Sequence, residues 1–545
     1  MSLFHELLIR SAQKYPNNVC LVHRKTAQTY GEVERQVRGL SGVLNEAGLQ
    51  AGARVAIYLE KSIEETLSLL AVSMAGGIFV DINHLLKSRQ IKHILNDSGA
   101  LILITSFQRL KAIGPDLAET PRLATVIALG PFTSCEGLLP PNLRLISLPA
   151  ALEQPLLSGD GFRRIDSDPA GIIYTSGSTG LPKGVVVSHR NLVAGADSVA
   201  SYLRNNEKDR ILSVLPFSFD YGLNQLTTAL LVGATLVLQN YLGPADIVRG
   251  LEKEAITGLA GIPTLWSQLL QIEWTDANFP NLRYITNSGG RFPEQLVKEY
   301  RRRLPHTKIY LMYGLTEAFR STYLEPDQVD VRPSSIGKAI PNAEIMVLNE
   351  EGQRCAPGEV GELVHRGVHV SLGYWNDAEK TRERFRPNPV GPAELQTKEL
   401  VVFSGDLVKT DDEGYLYYLS RKDQMIKTAG FRVSPTEVEE CFYNTGKVQD
   451  VVALGLPDSD LGEFIKVILS LRNGESLTAD EILALASQEM PSYMIPKETE
   501  IRTLLPKNSN GKIDRAAIYR DELSARCQAS QVPCPPLTGG PQGGA

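Results

Sequence analysis

Tyr174-Thr175-Ser176-Gly177-Ser178-Thr179-Gly180-Leu181-Pro182-Lys183-Gly184 gathers hydroxyl side chains, glycines and one lysine between two apolar runs. The run Gly171 to Ser176 enters this loop and the run Val185 to Ser188 leaves it, and both read as strands. Glycine lets the backbone approach an anion and adopt positive φ, while hydroxyls and amides donate hydrogen bonds to phosphate oxygens. Lys183 adds a point charge. The string is not a Walker A loop, because no Gly-Lys-Ser/Thr closes it and a strand follows where that motif needs a helix.

On either side of the loop the chain reads as α/β. Ile63 to Met74 carries a helical apolar face and runs into a strand in Gly76 to Ile82; Ile91 to Leu95 and Ala100 to Thr105 repeat the rhythm. Leu231 to Leu238 and Lys308 to Met312 read as further buried strands, so stacked βαβ-type sheets flanked by helices are predicted for a large N-terminal domain. After about Asp406 the texture changes. Asp411 to Gly414 is a polar turn inside a hairpin, and Ser434, Pro435 and Glu437 read as a helix start with a capping box. Strands over Val451 to Leu456 and Phe464 to Leu471 and a helix over Ala479 to Met490 complete a smaller C-terminal α+β domain. A chain of 545 residues exceeds one hydrophobic core, which fits two domains. Residues 526–545, rich in Pro and Gly, read as a disordered tail.

The loop at 174–184 resembles the phosphate-binding loop of the AMP-forming adenylating superfamily, which includes acyl-CoA synthetases, nonribosomal peptide adenylation domains and firefly luciferase. Other segments resemble that family's signatures in the family's order. Tyr313-Gly314-Leu315-Thr316-Glu317 is similar to its YGxTE segment: an aromatic can stack on adenine, a hydroxyl can bond the α-phosphate, and a carboxylate can hold Mg2+. Ser288-Gly289-Gly290 resembles the adenine-side turn. Asp406, in Ser404-Gly405-Asp406, and Arg421, in Arg421-Lys422-Asp423, resemble the two ribose-binding positions. Asn510-Gly511-Lys512-Ile513-Asp514 resembles the segment whose lysine bridges carboxylate and phosphate.

The resemblance implies an ATP- and Mg2+-dependent enzyme most like a stand-alone acyl-CoA ligase. It would activate a carboxylic acid as acyl-AMP, release pyrophosphate, and pass the acyl group to a pantetheine thiol. Lys512, Glu317, Thr316 and Lys183 would carry the chemistry, with Glu317 as the metal ligand. Thr175, Ser176, Gly177, Ser178, Thr179 and Gly180 would cradle the phosphates. Domains of 1–420 and 425–525 would meet at a hinge, 421–424, centred on Asp423. A swing about it would withdraw Lys512 and bring the Gly430 loop to the thiol path. Ser420, where the family usually has Gly, is a departure of small expected effect. Neither the tail nor any other segment reads as a carrier domain, so the acceptor would be CoA or the phosphopantetheine of a separate carrier protein.

The acid pocket is expected around Phe219, Asp220, Tyr221 and Asn224. Asp220 admits two readings. It either holds a substrate's α-ammonium, as in amino-acid-activating relatives and as a carrier-loading enzyme would need, or it is a hydrogen-bonded structural carboxylate. Trp266 reads as core packing ahead of a place in the pocket.

Composition narrows the remaining classes. A net charge of -6 opposes a nucleic-acid surface, and Arg301-Arg302-Arg303 fits the last turn of a helix over Pro293 to Tyr300. Six cysteines without metal or disulfide spacing fit a reducing compartment. The N-terminus does not read as a signal peptide, and Leu69 to Val80 is too short to span a bilayer. A cytoplasmic protein without a transmembrane segment is expected.

Overall fold

The alternation of helix and strand closes into two sheets with parallel centres. The computed structural model describes residues 3–154, 164–175, 181–392, 394–422, 424–428, 431–458 and 462–530. In the first sheet Arg144–Ser147, Thr125–Leu129, Ile102–Ser106, Arg54–Tyr58 and Ile78–Asp81 lie parallel in that spatial order. Pro169–Thr175 joins them in parallel, and Lys183–Ser188 pairs back on it antiparallel. The phosphate-loop candidate therefore connects a hairpin at the edge of this sheet; its residues Ser176, Gly177, Ser178, Thr179 and Gly180 lie outside the described residues.

The second sheet has the parallel order Lys308–Tyr313, Tyr284–Asn287, Gly258–Gly261, Arg210–Ser213, Thr235–Leu238, Val19–His23, with short antiparallel strands at both edges. A core cluster draws on both sheets, joining Leu21, Leu236 and Leu238 to Val55, Ile57, Ile102 and Ile104. The helices Ile63–Met74 and Asp220–Val232 are buried along almost their whole length, the mark of helices covered on both sides. The strand expected from Leu231 is shorter. The helix runs on to Val232, ends on Gly233 at φ 79°, and leaves only Thr235–Leu238 as strand. A left-handed glycine stops a helix where an apolar run alone cannot mark the boundary.

A third, antiparallel sheet holds Ala343–Leu348, Gly361–Gly367, Leu400–Thr410 and Leu416–Arg421, the last two forming the expected hairpin. The C-terminal region has a sheet and core of its own. Val448–Asp458 pairs with Gly462–Leu471, and Val438, Phe442, Val451, Val467 and Ile482 pack beside them. Ser434 caps the helix Pro435–Tyr443 by accepting from the Glu437 N–H. It forms a single cap and not the expected capping box, in which the Glu437 side chain would also accept from the Ser434 N–H; the Ser434 hydroxyl donates to the Leu419 carbonyl. The last helix, Arg515–Ser530, carries ordered structure past the predicted tail boundary at 526. None of the described helices is long and apolar enough to cross a membrane.

Candidate active site

Parallel strands end on one side of a sheet, and that edge is where α/β proteins collect ligands. Tyr284–Asn287 ends into Ser288, Gly289 and Gly290, and Lys308–Tyr313 ends into Gly314 and a short turn, Thr316–Ala318. Gly289 sits at φ 80°, and a Cβ there would stand 2.8 Å from Lys512 Cε, so glycine is what admits the lysine. Asn287 holds this turn by donating from Nδ2 to the Gly290 carbonyl, 3.0 Å away.

The ribose-binding candidates come from the hairpin of the third sheet. Asp406 and Arg421 are direct cross-strand partners, with Nε to Oδ1 3.4 Å. The Tyr313 hydroxyl donates to Asp406 Oδ2, so the hairpin is tied to the end of the parallel sheet. Asp406 Oδ1 stays buried without a hydrogen-bond partner among the described residues, an acceptor suited to a sugar hydroxyl. Burial pushes the Asp406 carboxyl up, and the Arg421 guanidinium and Tyr313 hydroxyl oppose that.

Glu317 is oriented by Tyr374, whose hydroxyl donates to Oε1. Ser371 N–H bonds the Glu317 carbonyl at 2.9 Å. Thr316 is buried in the same turn. Across the sheet edge, Thr175 and Lys183 face each other on the hairpin strands that flank the phosphate loop. Burial, helped by neighbouring Lys380, lowers the Lys183 ammonium's pKa, a situation that an anion would relieve.

Lys512 reaches this place from the C-terminal region. Its Nζ lies 4.9 Å from the centre of the Phe219 ring. Burial pushes its pKa down, while Asp220 favours the charged form. Hydrogen bonds from Thr264 and Asn83 hold its loop. Thr264 Oγ1 donates to the Gly511 carbonyl at 2.7 Å, and Asn83 Nδ2 donates to the Ser509 carbonyl at 3.1 Å. Farther out, Arg291 pairs with Glu440 at 3.4 Å.

Phe219 and Asp220 stand at the start of the helix Asp220–Val232. Tyr221 shares a 2.5 Å hydrogen bond with Thr286, and Asn224 turns to Thr227 within its own helix. Asp220 is paired with buried Arg320. Trp266 is core, packed edge-on against Tyr300. Arg301, Arg302 and Arg303 end the helix Glu294–Arg303 and pair with Asp330 and Glu299. Asp423 and Gly430 lie outside the described residues.

Arg320, Tyr374, Asn83 and Thr264 were not singled out by sequence reasoning. Arg320 follows the Tyr313–Glu317 segment by three residues, a signal of proximity; the other three carry none. A cleft of about 420 Å3 lined by Pro357, Lys409, Asp411 and Tyr417 lies apart from all these residues.

A family model described as AMP-binding enzyme matches residues 8–375, and one described as AMP-binding enzyme C-terminal domain matches residues 437–512. The chain is 29% identical over 547 residues to a long-chain-fatty-acid–CoA ligase of Salmonella typhimurium, covering 96% of this chain and 94% of that protein. It is also 29% identical over 524 residues to tyrocidine synthase 3 of Brevibacillus parabrevis, covering 95% of this chain but 8% of that one. The ATP-bound crystal structure of MatB from Rhodopseudomonas palustris superposes with a TM-score of 0.84 at 25% identity, covering 95% of this chain and 98% of that one.

Proposed function

The chain belongs to the AMP-binding enzyme family, and from that premise we propose that it is an ATP-dependent, AMP-forming acid–thiol ligase with CoA as its acceptor. In the first half-reaction a carboxylate oxygen bonds to the α-phosphorus as the bond to pyrophosphate breaks, giving acyl-AMP. In the second the thiol sulfur bonds to the acyl carbon, AMP leaves, and the thiol proton passes to solvent. A carboxylate is a weak nucleophile facing a polyanion, so the work is alignment and charge stabilisation more than proton transfer.

The observation that carries this reading is Lys512, half-buried against Phe219 with Asp220 as its principal opposing charge. In this role it offsets charge on the attacking carboxylate and the α-phosphate, with Lys183 and residues 175–180 on the phosphates. Asp406 and Arg421 take the ribose. Tyr313, Ser288, Gly289 and Gly290 take adenine, and Thr316 bonds the α-phosphate. No group of three His, Cys, Asp or Glu among the described residues could by itself hold a metal. Glu317 alone fits Mg2+, which commonly takes one carboxylate and completes its shell with phosphate oxygens and water. Bound there, Mg2+ supplies charge neutralisation on the phosphates; Tyr374 keeps the carboxylate aimed.

Residues 1–420 form the platform in this reading, and 425–525 turn about 421–424, at Asp423, to exchange Lys512 for the Gly430 loop. A cytoplasmic location belongs to it as well, since a reducing compartment suits the free thiols of Cys20, Cys135, Cys355 and Cys441. The test is pyrophosphate release with ATP and Mg2+ across fatty, aryl and amino acids, with and without CoA. Stimulation by an acid, with acyl-CoA appearing only when CoA is added, is the expected result. No stimulation by any acid overturns it. Likeness to tyrocidine synthase 3 favours a second reading, the loading of a separate carrier protein; stimulation by an amino acid without a CoA product would select it.

A further inference from the structure

Asp220 does not stand alone in the pocket. Arg320 Nη1 lies 3.7 Å from Asp220 Oδ2, and the two side chains are 2% and 5% exposed respectively. Phe319, at φ 45°, turns the chain so that Arg320 follows inward, and the guanidinium lies 4.8 Å from the Tyr221 ring centre. A separation of 3.7 Å balances charge but is too long for a hydrogen bond. Arg320 Nε and Nη2 are buried and have no hydrogen-bond partner among the described residues. Buried donors left without acceptors are rare and costly, and in a binding site the missing acceptor belongs to a ligand.

The charges narrow that ligand. Lys512 Nζ lies 4.9 Å from the ring centre of Phe219, the residue before Asp220, so its charge stands beside the Asp220–Arg320 pair. An ammonium placed on Asp220 would lie among two like charges and compete with a guanidinium already matched to that carboxylate. The acid's own carboxylate is the partner of Lys512. What Arg320 still lacks is an acceptor, and Asp220 has already neutralised its charge, so an uncharged oxygen fits best.

Resting on the ligase reading of this site, we infer that Asp220 and Arg320 form a preset ion pair that recognises an uncharged acceptor oxygen, a hydroxyl or carbonyl, near the carboxyl end of the acid, and that discriminates against α-amino acids. Selectivity of this kind is strong because a substrate lacking the oxygen leaves buried donors unpaired.

The experiment compares kcat/KM for pyrophosphate release within matched sets of equal chain length: the plain acid, its hydroxy or oxo derivative, and its α-amino derivative. The oxygenated acid is expected to exceed the plain acid by about 10- to 100-fold, with the amino acid lowest. Replacing both partners, Arg320→Met with Asp220→Asn, keeps the charge balance and is expected to bring the oxygenated-to-plain ratio close to one. Should that variant fail to fold, Arg320→Lys, which keeps the charge and loses the fork of donors, must cut the ratio at least about fivefold. A plain or amino acid preferred by the parent, or a ratio unmoved in the variants, overturns the inference and leaves the ligase assignment standing. No release with any acid overturns both.

Discussion

The surroundings of Asp406 and of Lys512 are built in opposite ways. Asp406 lies in an eleven-residue strand, faces Arg421 across a hairpin, and receives the Tyr313 hydroxyl from the end of another sheet. Lys512 rides on a loop of a region with a separate core, and the Asn83 and Thr264 hydrogen bonds hold that loop on the platform. A nucleotide site gains from preorganisation, since donors and acceptors already in place cost nothing at the moment of reaction. On the proposed reading, Lys512 serves one half-reaction and leaves in the next, and such a lysine gains from contacts weak enough to release.

Substitutions in the two regions test this contrast. Lys512→Ala carries the largest expected effect: adenylate formation from acid and ATP falls on the order of a hundredfold or more, while thiol transfer from supplied acyl-AMP is largely kept. Single-turnover assays of each half-reaction read it, and equal loss in both would remove Lys512 from its one-sided role. Asp406→Asn comes next. Losing a charge-assisted acceptor in the rigid half should raise KM for ATP about tenfold or more, without distinguishing one acid from another. An unchanged KM would show that ribose binds elsewhere.

Asn83→Ala and Thr264→Val should each slow adenylate formation about fivefold, the worth of one net hydrogen bond, and spare thiol transfer. If both half-reactions slow together, these residues support the platform and do not latch the loop.

The smallest effect concerns pH. All eight histidines and all three tryptophans precede residue 376, so both lie N-terminal to the region that carries Lys512. Burial lowers His365 to about 3 and His369 to about 4. Their folded values lie below the unfolded value near 6.5, so the unfolded chain binds more protons and each costs stability as pH falls from about 6.5 towards about 4. Buried Asp220 and Asp406, pushed up by burial, contribute the other sign. A difference measurement isolates the histidine. The gap in urea midpoint between the parent and His365→Gln, followed by tryptophan fluorescence, should narrow from about pH 7.5 to about pH 5. A constant gap would mean that His365 does not stay neutral in the folded state.

Much of the candidate site could be proposed from sequence because its residues cluster in short segments. Tyr313, Thr316 and Glu317 lie within five consecutive positions, and glycine, hydroxyl and lysine in a strand–loop–strand suffice to suggest a phosphate cradle. Helix starts were legible for the same reason, since Ser434 acts on the N–H only three residues away. The end of the helix at Gly233 was misread because an apolar run of that length serves a buried helix and a buried strand equally well.

By itself the sequence determined the α/β order of elements and the family, and it named the groups proposed to meet the nucleotide. Only the tertiary structure decided what surrounds them. Tyr374 reaches Glu317 across 57 positions, Thr264 reaches Gly511 across 247, and Asn83 reaches Ser509 across 426. Arg320 meets Asp220 because the ends of two separate elements converge. Periodicity and capping act over one or two turns of chain, whereas the environment of a buried charge is set by whichever distant side chains the packing brings within a few ångströms.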